Sequence, residues 1–291
     1  MATNPGQCLC GKVRWSLSAE PLAASHCYCK MCRKAHGSEF ATYWRVDKDH
    51  FHWVSGRDAI VTYDSSDILD RHFCGDCGSV VPFGGVSADG NVHQDYFVIV
   101  AGPHDQGRPA DYNIFVAHKA PWTEIGNGLP AHDDYPVESG YGRVEDTPQG
   151  EAPEGVVRAS CLCGVIKANI KTPFRAAHHC HCARCRRGRG AAHASNGFTA
   201  YDAVTFLQGE THLKEYKVPD AKYFTQVFCE LCGAKMPRLD AGRGVAVIPL
   251  GCLDDAPGIA PADHIFVADK ADWYPITDAL PQYDGYPPPQ R

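Results

Sequence analysis

Cysteine is the residue type with the clearest capacity for chemistry in this sequence, because its spacing is regular. The chain has 291 residues and 15 cysteines. All of them except Cys252 fall into three short motifs, and each motif occurs twice. The motifs are Cys-x-Cys-Gly at 8–11 and 161–164, Cys-x-Cys-x-x-Cys at 27–32 and 180–185, and Cys-x-x-Cys-Gly at 74–78 and 229–233. Thiolates grouped in this way are typical ligands of soft or borderline metal ions.

The Cys-x-x-Cys-Gly motif is the knuckle of a zinc ribbon, in which two thiolates reach one metal ion from a tight turn. Its glycine accommodates the left-handed backbone of that turn. A structural zinc takes four ligands, and the Cys-x-Cys-Gly motif of the same copy is the most natural source of the other two. The sequence predicts two closed metal sites, formed by Cys8, Cys10, Cys74 and Cys77 and by Cys161, Cys163, Cys229 and Cys232. Zinc is the expected ion, although thiolates also accept iron.

The middle motif brings together only three thiolates. The two predicted groups are Cys27, Cys29 and Cys32 in the first copy and Cys180, Cys182 and Cys185 in the second. Zinc held by three protein ligands keeps one coordination position for water or substrate, which is the arrangement of a catalytic site. The alternative is a second structural site that a neighbouring histidine completes. The candidates for that fourth ligand are His26, His178, His179 and His181.

The order of the motifs indicates a tandem duplication. Cys161 lies 153 residues after Cys8, and Cys229 lies 155 residues after Cys74. Other segments follow the same register, such as Ile-Phe-Val-Ala at 114–117 and 265–268. We therefore predict a first domain at 1–140, a linker rich in Gly, Pro and Glu at 141–155, and a second domain at 156–291.

Most of each copy has the pattern of β-strands. Val13, Trp15 and Leu17 alternate with polar residues, and short β-branched runs are separated by turn-forming Gly and Pro. Helix-compatible stretches are short, near 31–36 and 183–187. The net charge of -6 and the 44% hydrophobic content give no footprint for nucleic acid or a membrane surface. With no apparent signal peptide or membrane span, we expect a mainly β, cytoplasmic protein with reduced thiols.

The motifs together resemble a known family. Cys-x-Cys-Gly, His-Cys-x-Cys-x-x-Cys-Arg and Phe-Cys-x-x-Cys-Gly, closed by a Trp…Leu-Pro tail, are similar in both copies to the glutathione-dependent formaldehyde-activating enzymes and the centromere protein V domain. The resemblance implies a β-tent fold, a structural zinc on four cysteines and an activity-linked zinc on three, hence up to two zincs per copy. It also implies a carbon–sulfur lyase run in the joining direction, which adds glutathione to formaldehyde to give S-hydroxymethylglutathione. The three-cysteine groups would be its active ligands, and a small thiol and a small aldehyde its partners.

Glutathione carries two carboxylates, which call for cationic partners. Arg33 and Arg186 directly follow the third cysteine of each middle motif. Arginine can bind a carboxylate through two parallel hydrogen bonds, so these two residues are the predicted glutathione contacts.

The copies diverge beside the middle motif, where Glu39 and Phe40 correspond to Ala192 and His193. Either the two sites take different ligands or only one is active, and His193 is a candidate acid, base or fourth metal ligand.

A different class of function is also compatible with the sequence. In a non-catalytic zinc-binding module, every metal site is structural and the duplicated β surface binds a partner. An open metal position would favour the enzyme, whereas a fourth protein ligand would favour the module. Cys252 is expected to be a buried thiol, and Trp122 and Trp273 are expected to be core residues where the tail folds back on the sheet.

Overall fold

The computed structural model describes residues 3–66, 69–86, 92–136 and 150–288. Most of the predicted linker, 141–149, lies outside these residues, so the boundaries of the two domains stay a prediction. Among the described residues, no helix is both long and apolar enough to cross a membrane.

The first copy consists of short strands and one helix. Its elements are β1 (Asn4–Gln7), β2 (Arg14–Leu17), β3 (Ala23–Cys27), α1 (Lys30–His36), β4 (Ala41–Asp47), β5 (Phe51–Ser55), β6 (Ile60–Ser66), β7 (Leu69–Cys74), β8 (Phe83–Val86), β9 (Val92–Val100), β10 (Tyr112–Ile114) and β11 (Ala131–His132). Three-residue 3-10 turns connect several of them.

The second copy has nearly the same order of elements. They are β12 (Val156–Ser160), β13 (Lys167–Lys171), β14 (Ala176–Cys180), α2 (Ala183–Arg189), β15 (Ala194–Ala200), β16 (Val204–Gln208), β17 (Leu213–Lys217), β18 (Thr225–Cys229), β19 (Arg238–Asp240), β20 (Val245–Pro249), β21 (His264–Ile265) and β22 (Gln282–Tyr283).

Each copy forms a six-stranded sheet, a three-stranded sheet and a separate hairpin. The large sheets have the orders β11-β10-β3-β4-β9-β8 and β19-β20-β15-β14-β21-β22. The small sheets are β1-β2-β5 and β12-β13-β16, and the hairpins are β6-β7 and β17-β18. The predictions of a mainly β fold and of a tandem duplication are therefore confirmed.

The two helices are short and begin at a cysteine. The side chain of Cys29 accepts a hydrogen bond from the backbone N–H of Cys32 at the start of α1, and Cys182 caps α2 in the same way. Each helix ends at a glycine with a left-handed backbone, Gly37 (φ 61°) or Gly190 (φ 66°). Side-chain oxygens are the usual N-caps of helices. Here a cysteine sulfur takes that position, and the hydrogen bond from the backbone N–H fixes the orientation of the cysteine side chain.

The cores of the two copies interlock. Trp273 and Tyr274 of the second copy belong to the core built by Trp15 and Trp44 of the first. The rings of Trp44 and Trp273 are 5.7 Å apart, and the Trp273 indole N–H donates to the His104 carbonyl at 2.9 Å.

The exchange is reciprocal, because Trp122 of the first copy packs against the core of the second. Trp273 is a core residue as expected, although the core that it joins belongs to the first copy. The sequence marks these rings as apolar but carries no sign of which copy they cover.

The two Cys-x-x-Cys-Gly knuckles face each other across the interface between the copies. Gly78 packs against the ring of Phe228, and Gly233 packs against the ring of Phe73. The two phenylalanine rings are 6.3 Å apart. Lys235 is fully buried between the knuckles, where its Nζ donates to the carbonyls of Gly78 and Gly233 at 2.6 and 2.7 Å. The interface between the copies thus includes both Cys-x-x-Cys-Gly turns.

Candidate metal centres

The two four-cysteine groups come together as the spacing predicts. In each group the ligand atoms lie within 4.8 Å of one another. The Sγ atoms of Cys8 and Cys10 are 3.4 Å apart, and those of Cys10 and Cys74 are 3.8 Å apart. Cys161 with Cys163 and Cys163 with Cys229 repeat these distances. Tetrahedral zinc with sulfur ligands at its usual bond length requires sulfurs about 3.8 Å apart.

Backbone groups also support these sulfurs. The N–H of Val13 donates to Cys8 Sγ at 3.3 Å, and the N–H of Ile166 donates to Cys161 Sγ at 3.2 Å. Such hydrogen bonds stabilise thiolate charge in a cluster that carries more negative charge than a divalent ion neutralises. The donor sets therefore fit a closed, four-thiolate metal site in each copy.

The three-cysteine groups also come together, and they do so without a fourth ligand. Each group is built from the end of a strand, the following turn and the first helical turn. Within the described part of the chain, no His, Cys, Asp or Glu joins either group to make four. The donor sets fit a metal ion with an open coordination position.

The four histidines considered as the missing ligand have other neighbours. His26 Nδ1 lies 2.9 Å from the Thr42 hydroxyl, and His178 Nδ1 lies close to the carboxylate of Asp263. His181 Nε2 lies 2.8 Å from His264 Nδ1, and His179 lies beside Glu39 of the first copy, as described below. Because side chains alternate along a strand, His26 projects from the opposite face of β3 to Cys27, and His179 from the opposite face of β14 to Cys180.

An arginine from β7 lies against the first three-cysteine group. The Nη2 of Arg71 donates to Cys32 Sγ at 3.5 Å, and its Nη1 donates to the Tyr43 hydroxyl at 3.3 Å. That hydroxyl is 3.4 Å from Cys32 Sγ and 2.9 Å from His36 Nε2. Burial, together with the negative charge of Cys32, raises the pKa of Tyr43 well above its usual value, so the phenol stays protonated.

The second three-cysteine group has its arginine at a different position. Gln226 occupies the position equivalent to Arg71, and Arg189 on α2 occupies the position equivalent to His36. Burial lowers the pKa of Arg189, and the negative charge of Cys185 partly offsets that shift. Arg189 Nη2 also donates to Asn196 Oδ1 at 3.2 Å. Our sequence reasoning did not identify Arg71 as a site residue, although aligning the two copies would have exposed this exchange.

The two arginines predicted to bind glutathione have different surroundings. Arg33 is buried and lines a cleft between the copies. Arg186 is buried and connects the copies, because its Nη2 donates to Asp105 at 2.6 Å and its Nη1 to the Gly102 carbonyl at 2.9 Å. Their assignment as carboxylate-binding residues stays a prediction.

The cleft beside Arg33 has a volume of about 420 Å³. The first copy contributes Lys30, Arg33 and residues 117–119, 121 and 122, and the second contributes Arg158 and residues 253–256. Two of its carboxylates are paired: Asp254 lies 2.8 Å from Lys34 Nζ, and Asp255 lies 2.6 Å from Arg158 Nη2.

Cys252 belongs to no cysteine group and is fully buried. Burial raises the pKa of its thiol to about 12. It therefore remains a protonated, apolar core residue at neutral pH, as expected.

Fold and site together define a class: a duplicated, mostly β protein in which each copy gathers a four-thiol and a three-thiol candidate metal centre. The chain belongs to the family described as glutathione-dependent formaldehyde-activating enzyme, whose sequence profile matches residues 3–118 and 156–269.

One solved structure, described as the crystal structure of a Rhodobacter sphaeroides protein, is 20% identical over 36% of this chain and 97% of that chain, with a TM-score of 0.29. No curated protein matches the sequence.

Proposed function

We propose that the chain is a zinc-dependent carbon–sulfur lyase that joins glutathione to formaldehyde to give S-hydroxymethylglutathione. Each three-cysteine group would be an active site, and each four-cysteine group would hold a structural zinc. The observation that carries this proposal is the convergence of three thiols with no fourth protein ligand among the described residues. A structural site would be closed by four ligands, whereas a catalytic site leaves one position for substrate.

The reaction forms one carbon–sulfur bond. The thiol sulfur of glutathione attacks the carbonyl carbon, the π electrons of formaldehyde move to its oxygen, and that oxygen takes the proton that the thiol gives up. Zinc, when bound, supplies a Lewis acid that favours the thiolate form of a thiol at neutral pH. The chain's own task is to hold the two reactants together and to balance charge.

Arg71 and Arg189 are suited to the charge balance. A divalent ion held by three thiolates retains one negative charge, and a single guanidinium can offset it. In the first copy this guanidinium contacts Cys32 and the Tyr43 hydroxyl. We propose that Arg71, in copy one, and Arg189, in copy two, are positioning residues that stabilise the thiolate set without contacting substrate.

Binding of the glutathione carboxylates is assigned to the cleft next to α1. Its volume of about 420 Å³ lies within the usual range for small-molecule sites. Lys30, Arg33 and Lys119 line it, and a zwitterionic peptide suits a lining with charges of both signs. In the second copy, Arg186 remains the proposed carboxylate contact.

The non-catalytic module is supported by one observation, which is burial. Cys27, Cys29 and Cys32 are only 4%, 6% and 3% exposed. Cys182 is more exposed than its counterpart Cys29. If access limits turnover, the second copy is the more active one.

Exchange spectroscopy by NMR tests the proposed reaction, since it follows formation of S-hydroxymethylglutathione from glutathione and formaldehyde at equilibrium. We expect intact protein to accelerate exchange, Cys29→Ser and Cys182→Ser each to remove part of the acceleration, and the double variant to remove it. Cys252→Ser is the matched control, because that thiol lies outside the candidate centres. An uncatalysed rate with intact protein that retains its zinc would overturn the assignment.

A further inference from the structure

A group of possible metal ligands that contains no cysteine lies at the interface between the copies. Glu39 follows α1 in the first copy, His179 is on β14, and His193 directly precedes β15. One ligand atom from each residue lies within 4.8 Å of the others. Glu39 Oε1 is 3.3 Å from His193 Nε2 and 3.9 Å from His179 Nε2. Two imidazoles and a carboxylate thus converge from both copies.

A hydrogen bond holds the ring of His179 in the orientation needed for this convergence. His179 Nδ1 lies 3.1 Å from the Ser195 hydroxyl, which leaves Nε2 directed at Glu39. Histidines that bind metals usually have their second ring nitrogen in such a hydrogen bond, which fixes the orientation of the ring. His193 is 1% exposed, and its Nδ1 has no hydrogen-bond partner among the described residues. The cluster is therefore not a polar network that satisfies all its own hydrogen bonds.

The surroundings of the site are apolar and aromatic. The ring of Phe40 is 5.3 Å from that of His193, and the ring of Tyr274 is 5.5 Å from it.

The equivalent positions of the opposite copies do not form a second set of this kind. The positions equivalent to Glu39, His179 and His193 carry Ala192, His26 and Phe40. The divergence between the copies thus concentrates three ligand residues at one place, and both copies are needed to complete it.

We propose that Glu39, His179 and His193 bind one divalent transition-metal ion between the copies. A two-histidine, one-carboxylate set suits ions such as Fe²⁺, Co²⁺ or Zn²⁺ and leaves positions for water or a small ligand. The site is separate from the thiolate centres and does not rest on the proposed lyase activity. Bound there, the ion would tie the first copy to the second.

Cobalt(II) is a suitable probe because it separates the two kinds of site. Metal-free, reduced protein is titrated with Co²⁺ without oxygen, and bound cobalt is counted after gel filtration. Thiolate-bound cobalt has intense sulfur-to-metal absorption, whereas cobalt on nitrogen and oxygen ligands does not. We expect one bound cobalt more than the sulfur absorption accounts for.

Two of the test variants replace a proposed ligand by the residue that the other copy has at the equivalent position. Glu39→Ala and His193→Phe, each carrying the residue of the equivalent position, should lose one cobalt while the sulfur absorption is unchanged, which also shows that the fold is retained. Glu39→Gln keeps the side-chain volume and should lose the same cobalt. The control removes His212 and Glu230, a pair 3.0 Å apart at the surface, and should lose none. Equal cobalt content in the parent and in Glu39→Gln would overturn the proposal.

Discussion

A single arginine accompanies each three-cysteine group, and the two copies supply it from different positions. Arg71 on β7 donates to Cys32 Sγ in the first copy, whereas the second copy has Gln226 at that position and carries Arg189 on α2, at the position of His36. We infer from this exchange of residues that each three-cysteine group requires one positive charge. A thiolate set that holds a divalent ion with three ligands remains anionic, which explains that requirement.

If one positive charge is required, removing it should weaken zinc binding, and restoring it from another position should recover the affinity. Arg71→Gln, which carries the residue of the second copy, should weaken zinc binding at the first three-cysteine group by about 10–100-fold, the usual effect of losing a residue that supports a metal ligand. Adding His36→Arg recreates the arrangement of the second copy and should recover most of that affinity. Competition with a zinc chelator measures both effects. Unchanged zinc affinity in Arg71→Gln would contradict the account.

At the scale of elements, the ends of the helices are places where the copies meet. Gly37 ends α1 with φ 61°, and a β-carbon there would lie 2.8 Å from Lys235 Cβ of the other copy. Gly244 has the same φ of 61° but nothing within 4 Å of an added β-carbon. Comparing Gly37 with Gly244 therefore separates the effect of the left-handed backbone from the effect of crowding by neighbouring atoms.

Gly37→Ala should therefore cost more than Gly244→Ala. Both changes place a β-carbon in the left-handed region, at about 1–2 kcal/mol, and only Gly37→Ala adds overpacking, at about 1–3 kcal/mol more. Free energies of unfolding from urea denaturation give the comparison. Equal losses for the two variants would mean that the close approach of the copies at α1 is absent in solution.

The short helices and the cysteine groups could be predicted from the sequence. The stretches 31–36 and 183–187 predicted α1 and α2, which the structure extends to Lys30–His36 and Ala183–Arg189. Cysteine spacing likewise predicted all four cysteine groups. These features depend on residues that are close in sequence or that a metal ion selects by type, so a pattern in one chain is sufficient to find them.

At the scale of the whole molecule, the two copies are halves of one packed body. A duplicated sequence gives every contact two possible forms, within a copy or between copies, and both have the same apolar pattern. The sequence therefore could not assign Trp273 to the core around Trp44, nor bring Glu39 to His193. The divergence at Glu39 and His193 was visible in the sequence. The contact between the copies that brings these two residues together was not.

The shared core makes Trp273 important for the copy to which it does not belong. Trp273 is 2% exposed, so Trp273→Ala should destabilise the protein by about 3–5 kcal/mol, the usual cost of removing a buried aromatic side chain. Trp122 is only half-buried, and Trp122→Ala should cost less. Denaturation followed by fluorescence and by circular dichroism measures the loss. If Trp273→Ala were as stable as the parent, the interlocked core would be wrong.

The central claim is that a thiol enters the open position of the three-cysteine centres. Cobalt(II)-substituted protein titrated with glutathione tests it directly, since a new thiolate ligand increases the sulfur-to-cobalt absorption. We predict two glutathiones bound per chain, about half the change in Cys29→Ser and in Cys182→Ser, and no change with S-methylglutathione, which has no free thiol. A spectrum that glutathione leaves unaltered would contradict the account.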